Sequence, residues 1–284
     1  MTLTPRIWPR RLRLGILAAV CLAGVLAVFL APRVPLGPAY HDFADKRTLF
    51  GLANALDVLS NIPFCIVGLW GLFWLAGSAA RSSFADRREP IPWAIFFAGV
   101  FLTGLGSSWY HLAPSNQRLP WDLLPMTCSF MSLVVSMVME RVSVRAGAIA
   151  LIPLLLLGVS SVLHWCVTES LGHGDYKFYL FVQFFSPGVL VLLIGLFRPR
   201  YTGTRYLILA FALYVAAKLF EIGDYPVYRL LGHRLSGHSI KHVTAAVACY
   251  LILEMLRRRR RIPSTRAASV PAAGDGRNRL TYSE

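Results

Sequence analysis

Charge is scarce in this chain. Only 15% of its 284 residues are Asp, Glu, Lys or Arg, where a soluble domain carries about a quarter. Acid is scarcer still, with 14 Asp and Glu against 29 Lys and Arg. Paired cysteines are lacking too. Cys21, Cys65, Cys128, Cys166 and Cys249 are odd in number, form no C-x-x-C and fall within or beside apolar runs. That excludes a disulfide framework and a thiolate metal site, and they read as small core residues. No polar stretch between the apolar runs is long enough to hold a soluble domain. An ordinary soluble enzyme is therefore excluded.

What is present is apolar: 56% of residues are hydrophobic, and they cluster. A helix needs about 20 apolar residues to cross a bilayer. Eight runs approach that length, at about 14–31, 53–76, 91–111, 123–140, 146–166, 177–197, 204–222 and 239–256. Pro63 and Pro153 lie inside two of them, which membrane helices tolerate. The expected fold is all-α: a polytopic transmembrane helix bundle, with a seven-helix core preceded by one extra N-terminal helix. Residues 1–39 form a basic segment and that first helix, 40–256 the membrane domain, and 257–284 a basic tail. The tail is rich in Ala, Pro, Gly and Arg, a composition that favours disorder. Arg257 to Arg261 should sit against anionic lipid.

The first run admits a rival reading. Arg6, Arg10, Arg11 and Arg13 before an apolar stretch also suit a signal peptide cleaved after Ala31. The length of the run and the Pro32 that would follow the cut favour a retained helix.

A net charge of +15 suggests nucleic acid until its placement is considered. The arginines lie in short gaps between runs and at both termini, the pattern of basic cytoplasmic loops. No nucleic-acid partner is expected. With the N-terminus inside, the inner gaps hold Arg81, Arg87 and Arg88, then Arg141 and Arg145, then Arg198, Arg200 and Arg205, and finally Arg257 to Arg261. The outer gaps are poorer in Lys and Arg. The expectation is a multi-pass protein of the plasma or inner membrane, with both termini cytoplasmic and residues 32–52 outside.

This topology carries four ionisable groups to one depth. His111 ends the third run on the outer side, Asp122 opens the fourth there, and His238 and His242 open the eighth. His238 and His242 are i, i+4, so they share a helical face and can ligate one zinc. Ser107 and His111 have the same spacing. Three His ligands leave a fourth position for water, which zinc acidifies. Asp122 could then take the water's proton, and the Ser107 hydroxyl could donate to a developing oxyanion. The bland alternative is a set of interfacial polar groups, and the common layer of all four weighs against it. Asn54, Asp57 and Asn61 form one stripe, either a buried hydrogen-bonding face or oxygen ligands for a metal. Lys218 and Glu221, with Asp224 following, read as a structural ion pair. His41, His164, His173 and His233 read as loop or interface residues.

Four stretches resemble the alkaline ceramidase family, of the superfamily that also holds the adiponectin-receptor-like membrane proteins. They are Ser-Asn-Ile-Pro-Phe at 60–64, Gly-Ser-Ser-Trp-Tyr-His-Leu at 106–112, Trp-Asp-Leu-Leu-Pro-Met at 121–126 and Ser-Gly-His-Ser-Ile-Lys-His at 236–242. The resemblance spans about residues 40–256. It implies a seven-helix core with zinc held by His111, His238 and His242, Asp122 as proton shuttle and Ser107 steadying the oxyanion. The implied reaction is hydrolysis of the amide of ceramide or a related N-acyl membrane lipid, releasing fatty acid and sphingoid base. It also implies a calcium (Ca2+) site near the start of the core, for which Asp42, Asp45 and Asn54 are the candidates. Arg47 stands where that pattern has an Asn, and a cation is a poor neighbour for calcium.

Two other functions compete. One is a receptor-like or regulatory seven-helix protein with a structural zinc, since one fold can host both. The other is a transporter with Asp57, Lys218 and Glu221 along its path. Ser107 and Asp122 beside the His set favour the hydrolase, because a structural zinc needs neither.

Overall fold

The structure is a computed structural model that describes residues 8–263. Arg6 and the tail beyond 263 lie outside the described residues, and so does most of the expected disordered tail. The described residues form an all-α bundle. Its elements are α1 (Arg10–Leu30), α2 (Ala55–Leu59), α3 (Ile62–Ala76), α4 (Ser78–Arg81), α5 (Pro90–Leu112) and α6 (Leu119–Arg141). They continue with α7 (Val144–Ser170), α8 (Lys177–Leu196), α9 (Thr204–Ile222), α10 (Asp224–Leu230) and α11 (Gly237–Arg258).

All eight apolar runs become helical, and most reach beyond their apolar core. Seven spans are long and apolar enough to cross a membrane: α1, α2 with α3, α5, α6, α7, α8 and α11. The run at 53–76 is not continuous: it breaks at Ser60 and Asn61 into α2 and α3. The run at 204–222 is α9, which joins α10 at a bend of 81° and makes an eighth span only with it.

Lipid tails are as apolar as leucine, so helix association here rests on close packing and hydrogen bonds. The arrangement follows that rule. α6 is the most enclosed span and α1 the least. α6 packs against α5, α7 and α8, α11 against α9 and α3, α3 against α5, and α1 against α8. Several interior hydroxyls donate within their own helices: Thr103 to Gly99, Ser132 to Cys128 and Ser186 to Val182.

Two glycines bring site-bearing helices together. Pro125 lacks the N–H that would bond the Trp121 carbonyl. A Cβ at Gly106 would collide with that carbonyl, so only glycine lets the start of α6 lie on α5. A Cβ at Gly237 would likewise meet the Phe220 carbonyl, and its absence seats the start of α11 on the end of α9. Ser236 caps α11, accepting from Ser239 N–H at 2.9 Å.

The two ends of the bundle differ. At one, residues 31–54 run as a strap across the helix ends. The Val34 amide donates to Asp175 at 3.1 Å, and the Ala44 amide to Asp224 at 2.9 Å. At the other, arginines lock the loops. Arg259 pairs with Glu140 at 3.5 Å and Arg200 with Glu89 at 2.8 Å. Arg141 donates to the Phe197 carbonyl at 3.0 Å and to Thr204 at 2.9 Å.

Candidate metal centre

His111 stands in the last turn of α5, and His238 and His242 in the first turns of α11. All three are buried. One ligand atom from each lies within 4.8 Å of the others. The imidazole rings form a triangle with centroids 4.7, 5.0 and 4.7 Å apart. His111 Nε2 and His238 Nε2 face each other at 3.2 Å. Two nitrogens bound tetrahedrally at zinc distances would stand about 3.3 Å apart. The cluster fits a metal ion, and three uncharged nitrogen donors suit a borderline cation such as zinc.

The surroundings orient the ligands. Ser60, at the α2–α3 break, donates its hydroxyl hydrogen to the Asp57 carbonyl at 3.1 Å. It must therefore accept from His242 Nδ1, 2.8 Å away. That places the proton of His242 on Nδ1 and leaves Nε2 free for a metal. Asp224 accepts from the His238 backbone N–H at 2.8 Å. Asn54 donates to the His111 carbonyl at 2.9 Å. Phe43 of the strap packs on His111 and His238, with ring centroids at 4.6 and 4.3 Å. His111 Nδ1 is buried without a partner, and nothing in the structure explains it.

Asp57 ties the stripe on the second span to α11, although its own Oδ2 and Asn61 Oδ1 are buried without partners. It is fully buried, and its Oδ1 accepts from Ser236 at 3.1 Å and Ser239 at 2.6 Å. Asn61 donates to the Asp57 carbonyl at 2.8 Å. The stripe is a hydrogen-bonded lock between α2 and the start of α11, and it holds the two α11 histidines in place.

A cavity of about 480 Å³ opens beside the histidines. Its wall includes His111, His238, Asp122, Lys218, Glu221 and Lys241. Asp122 lies in the first turn of α6 and Ser107 on α5. The Ser107 hydroxyl faces the Asp122 carboxyl, and Ser107 itself is not on the cavity wall. Lys218 pairs with Glu221 at 2.5 Å, as the spacing suggested. Lys241 joins them from α11, 3.2 Å from Glu221 and 3.0 Å from His238 Nε2. Nothing in the spacing of Lys241 alone marks it, except that i, i+3 from His238 puts it on the same face. A second cavity, of about 170 Å³, lies deeper in the bundle and is lined almost wholly by apolar side chains. Met126 is on the wall of both.

The calcium candidates find other partners. The Lys46 ammonium and the Tyr225 hydroxyl, at 2.5 and 2.9 Å, hold the Asp42 carboxyl below the usual carboxylate range. Burial pushes Asp45 up, but two Arg47 contacts at 2.6 and 2.8 Å outweigh it and leave Asp45 low. Asn54 spends its amide nitrogen on His111. Each carboxylate already holds a cation of the chain, so these residues do not fit calcium. His41 is more than a loop residue: its two ring nitrogens bridge the Tyr110 hydroxyl and Asn116 Oδ1, both at 2.7 Å. All five cysteines are free.

No family model, curated protein or solved structure matches the chain. The site rests on its own geometry.

Proposed function

We propose that this membrane protein is a zinc-dependent hydrolase that cleaves the amide of an N-acyl membrane lipid, of which ceramide is the leading case. One observation carries the reading: the buried three-histidine cluster opens onto a cavity whose wall also bears a carboxylate, Asp122. A metal kept only for structure needs neither the cavity nor that carboxylate. The apolar cavity beyond Met126 supports an amphiphilic substrate, with its polar linkage at the histidines and a hydrocarbon chain toward the bundle interior. The motif resemblance to the alkaline ceramidases narrows the class to N-acylated sphingoid bases.

In this reading His111, His238 and His242 hold the zinc, which when bound supplies Lewis acidity for the water and the carbonyl. Asp122 accepts the proton of the attacking water and delivers it to the leaving amine. The position of Ser107 off the cavity wall favours a part in orienting Asp122 over the oxyanion contact its spacing suggested. The Phe43 strap covers the histidines and excludes bulk water from that side. The histidine end faces outward and the arginine end the cytoplasm, as basic loops require.

The test is metal analysis of the purified protein together with fatty-acid release from a panel of N-acyl lipids. The expected result is one zinc per chain and release from at least one lipid. Full zinc with no release across a broad panel would transfer the lead to the receptor-like reading. A cysteine placed at position 45 should react with an impermeant thiol reagent on intact cells. Reaction only after lysis would reverse the orientation.

A further inference from the structure

Four acids line the cavity beside the histidines, and three are spoken for. Asp42 pairs with Lys46. Asp224 accepts from two backbone N–H groups, those of Ala44 and His238. Glu221 serves two lysines, Lys218 and Lys241. The fourth, Asp122 of α6, faces the Ser107 hydroxyl of α5. Two ammonium groups thus share one carboxylate, and both are mostly shielded from solvent.

Lys241 is the unusual member. Its Nζ is 3.2 Å from Glu221 Oε1 and 3.0 Å from His238 Nε2. That nitrogen is one the histidine cluster would use for a metal. A lone pair given to a metal cannot also accept from an ammonium. With a metal held, Lys241 keeps Glu221 and has N–H donors left for an anion in the cavity. A cation this close to a metal ligand repels the metal, so a site built only to retain metal gains nothing from it.

We propose that Lys241, steered by Glu221 and backed by Lys218, is a carboxylate-binding subsite beside the histidine cluster. Its ligand is the fatty acid that amide hydrolysis would release, with the charged head on Lys241 and the chain toward the apolar cavity past Met126. The inference rests on the hydrolase reading only for the choice of anion. Lys218 holds Glu221 from the other side at 2.5 Å and lies over the Phe184 ring at 5.5 Å, so Lys241 is the donor with freedom to turn.

The experiment measures binding of palmitate and of hexadecanol, the same chain without the charge, to the full-length zinc-loaded protein in detergent. Zinc content is read on each preparation. Lys241→Met should keep its zinc, bind hexadecanol as the parent does and bind palmitate roughly ten- to a hundredfold more weakly. Lys241→Arg should restore most of the palmitate affinity. If Lys241→Met does not accumulate, Lys241→Gln carries the same measurement. Parent-like palmitate binding in the neutral variant overturns the subsite. So does loss of zinc, or equal weakening toward palmitate and hexadecanol, since either makes Lys241 a structural group. The two readings fail separately. A parent that binds palmitate through Lys241 but cleaves no N-acyl lipid keeps the subsite and loses the hydrolase. A parent that cleaves lipid while the neutral variant binds palmitate undiminished keeps the hydrolase and loses the subsite.

Discussion

Both ends of this bundle bury ionisable side chains, but they dispose of them differently. At the arginine end the buried carboxylates each meet an arginine: Glu140 meets Arg259, Glu89 meets Arg200 across two loops, and Glu254 meets Arg257 and Arg258 within α11. Arg259 also lies over the Tyr201 and Phe84 rings at 4.1 and 4.5 Å. At the histidine end three imidazoles crowd together beside a cavity, and Lys241 stands close to one of them. Buried pairs are accounted for by architecture alone. Like donors gathered at one point cost stability unless something binds there. The contrast supports the proposed function at the histidine end and makes the arginine end a clamp.

The sharpest break in that contrast comes from the ligands. The double substitution His238→Ala and His242→Ala should reduce zinc from one per chain to near none while far-UV circular dichroism keeps its helical signal. Full zinc in this variant would remove the metal centre. Asp122→Asn comes next: it should keep zinc and lower kcat by about 10²–10⁴-fold, the usual worth of a general acid–base group. Parent-like turnover would remove Asp122 as the proton carrier.

At the clamp the expected effect is on stability and not on metal. Arg259→Met leaves Glu140 buried without its cation, which should cost about 3 kcal/mol in a denaturation measurement with zinc content unchanged. A loss of zinc without a loss of stability would erase the distinction between the ends. The smallest effect is expected at Ser60. Ser60→Ala removes the acceptor for His242 Nδ1 and should weaken zinc affinity by about 10–100-fold, read by competition with a chelator. Unchanged affinity would mean that His242 is oriented by the Asp57 carbonyl, which it also touches.

Much of this was legible beforehand, and the limit is physical. Hydropathy marks spans because each must be about as long as the bilayer is thick, so the eight runs stand out in the sequence, and only the one at 204–222 needs its bent partner α10 to count as a span. Depth follows from span order, which brought His111, Asp122, His238 and His242 to one layer. Neither signal says which helices are lateral neighbours. The lock of Asp57 on Ser236 and Ser239 and the reach of Ser60 to His242 join helices far apart in sequence, and the approach of Lys241 to Glu221 depends on how α11 packs on α9. The poor fit of calcium has a local reason. Asp42 and Asp45 offer oxygen ligands, but Lys46 and Arg47, four and two residues further on, reach back to pair with them. The break at Ser60 and Asn61 was hidden because the residues around it remain apolar.

The bend between α9 and α10 has a consequence for how a substrate travels. Ile222, Tyr225 and Pro226 border the cavity there, opposite Leu180 and Phe184 of α8. Ile222 is 82% exposed and Phe184 55%, so this border of the cavity turns apolar side chains outward, as the sideways entrance of the proposed lipid hydrolase requires. Under the proposed function, a lipid entering there would never have to desorb. Pulling an acyl chain into water costs about 0.8 kcal/mol per methylene, more than 10 kcal/mol for a chain of about sixteen carbons. For the hydrolase proposed above, a sideways entrance would leave that barrier out of the reaction path, and delivery would then depend on the lipid's surface density in the membrane and not on its solubility in water.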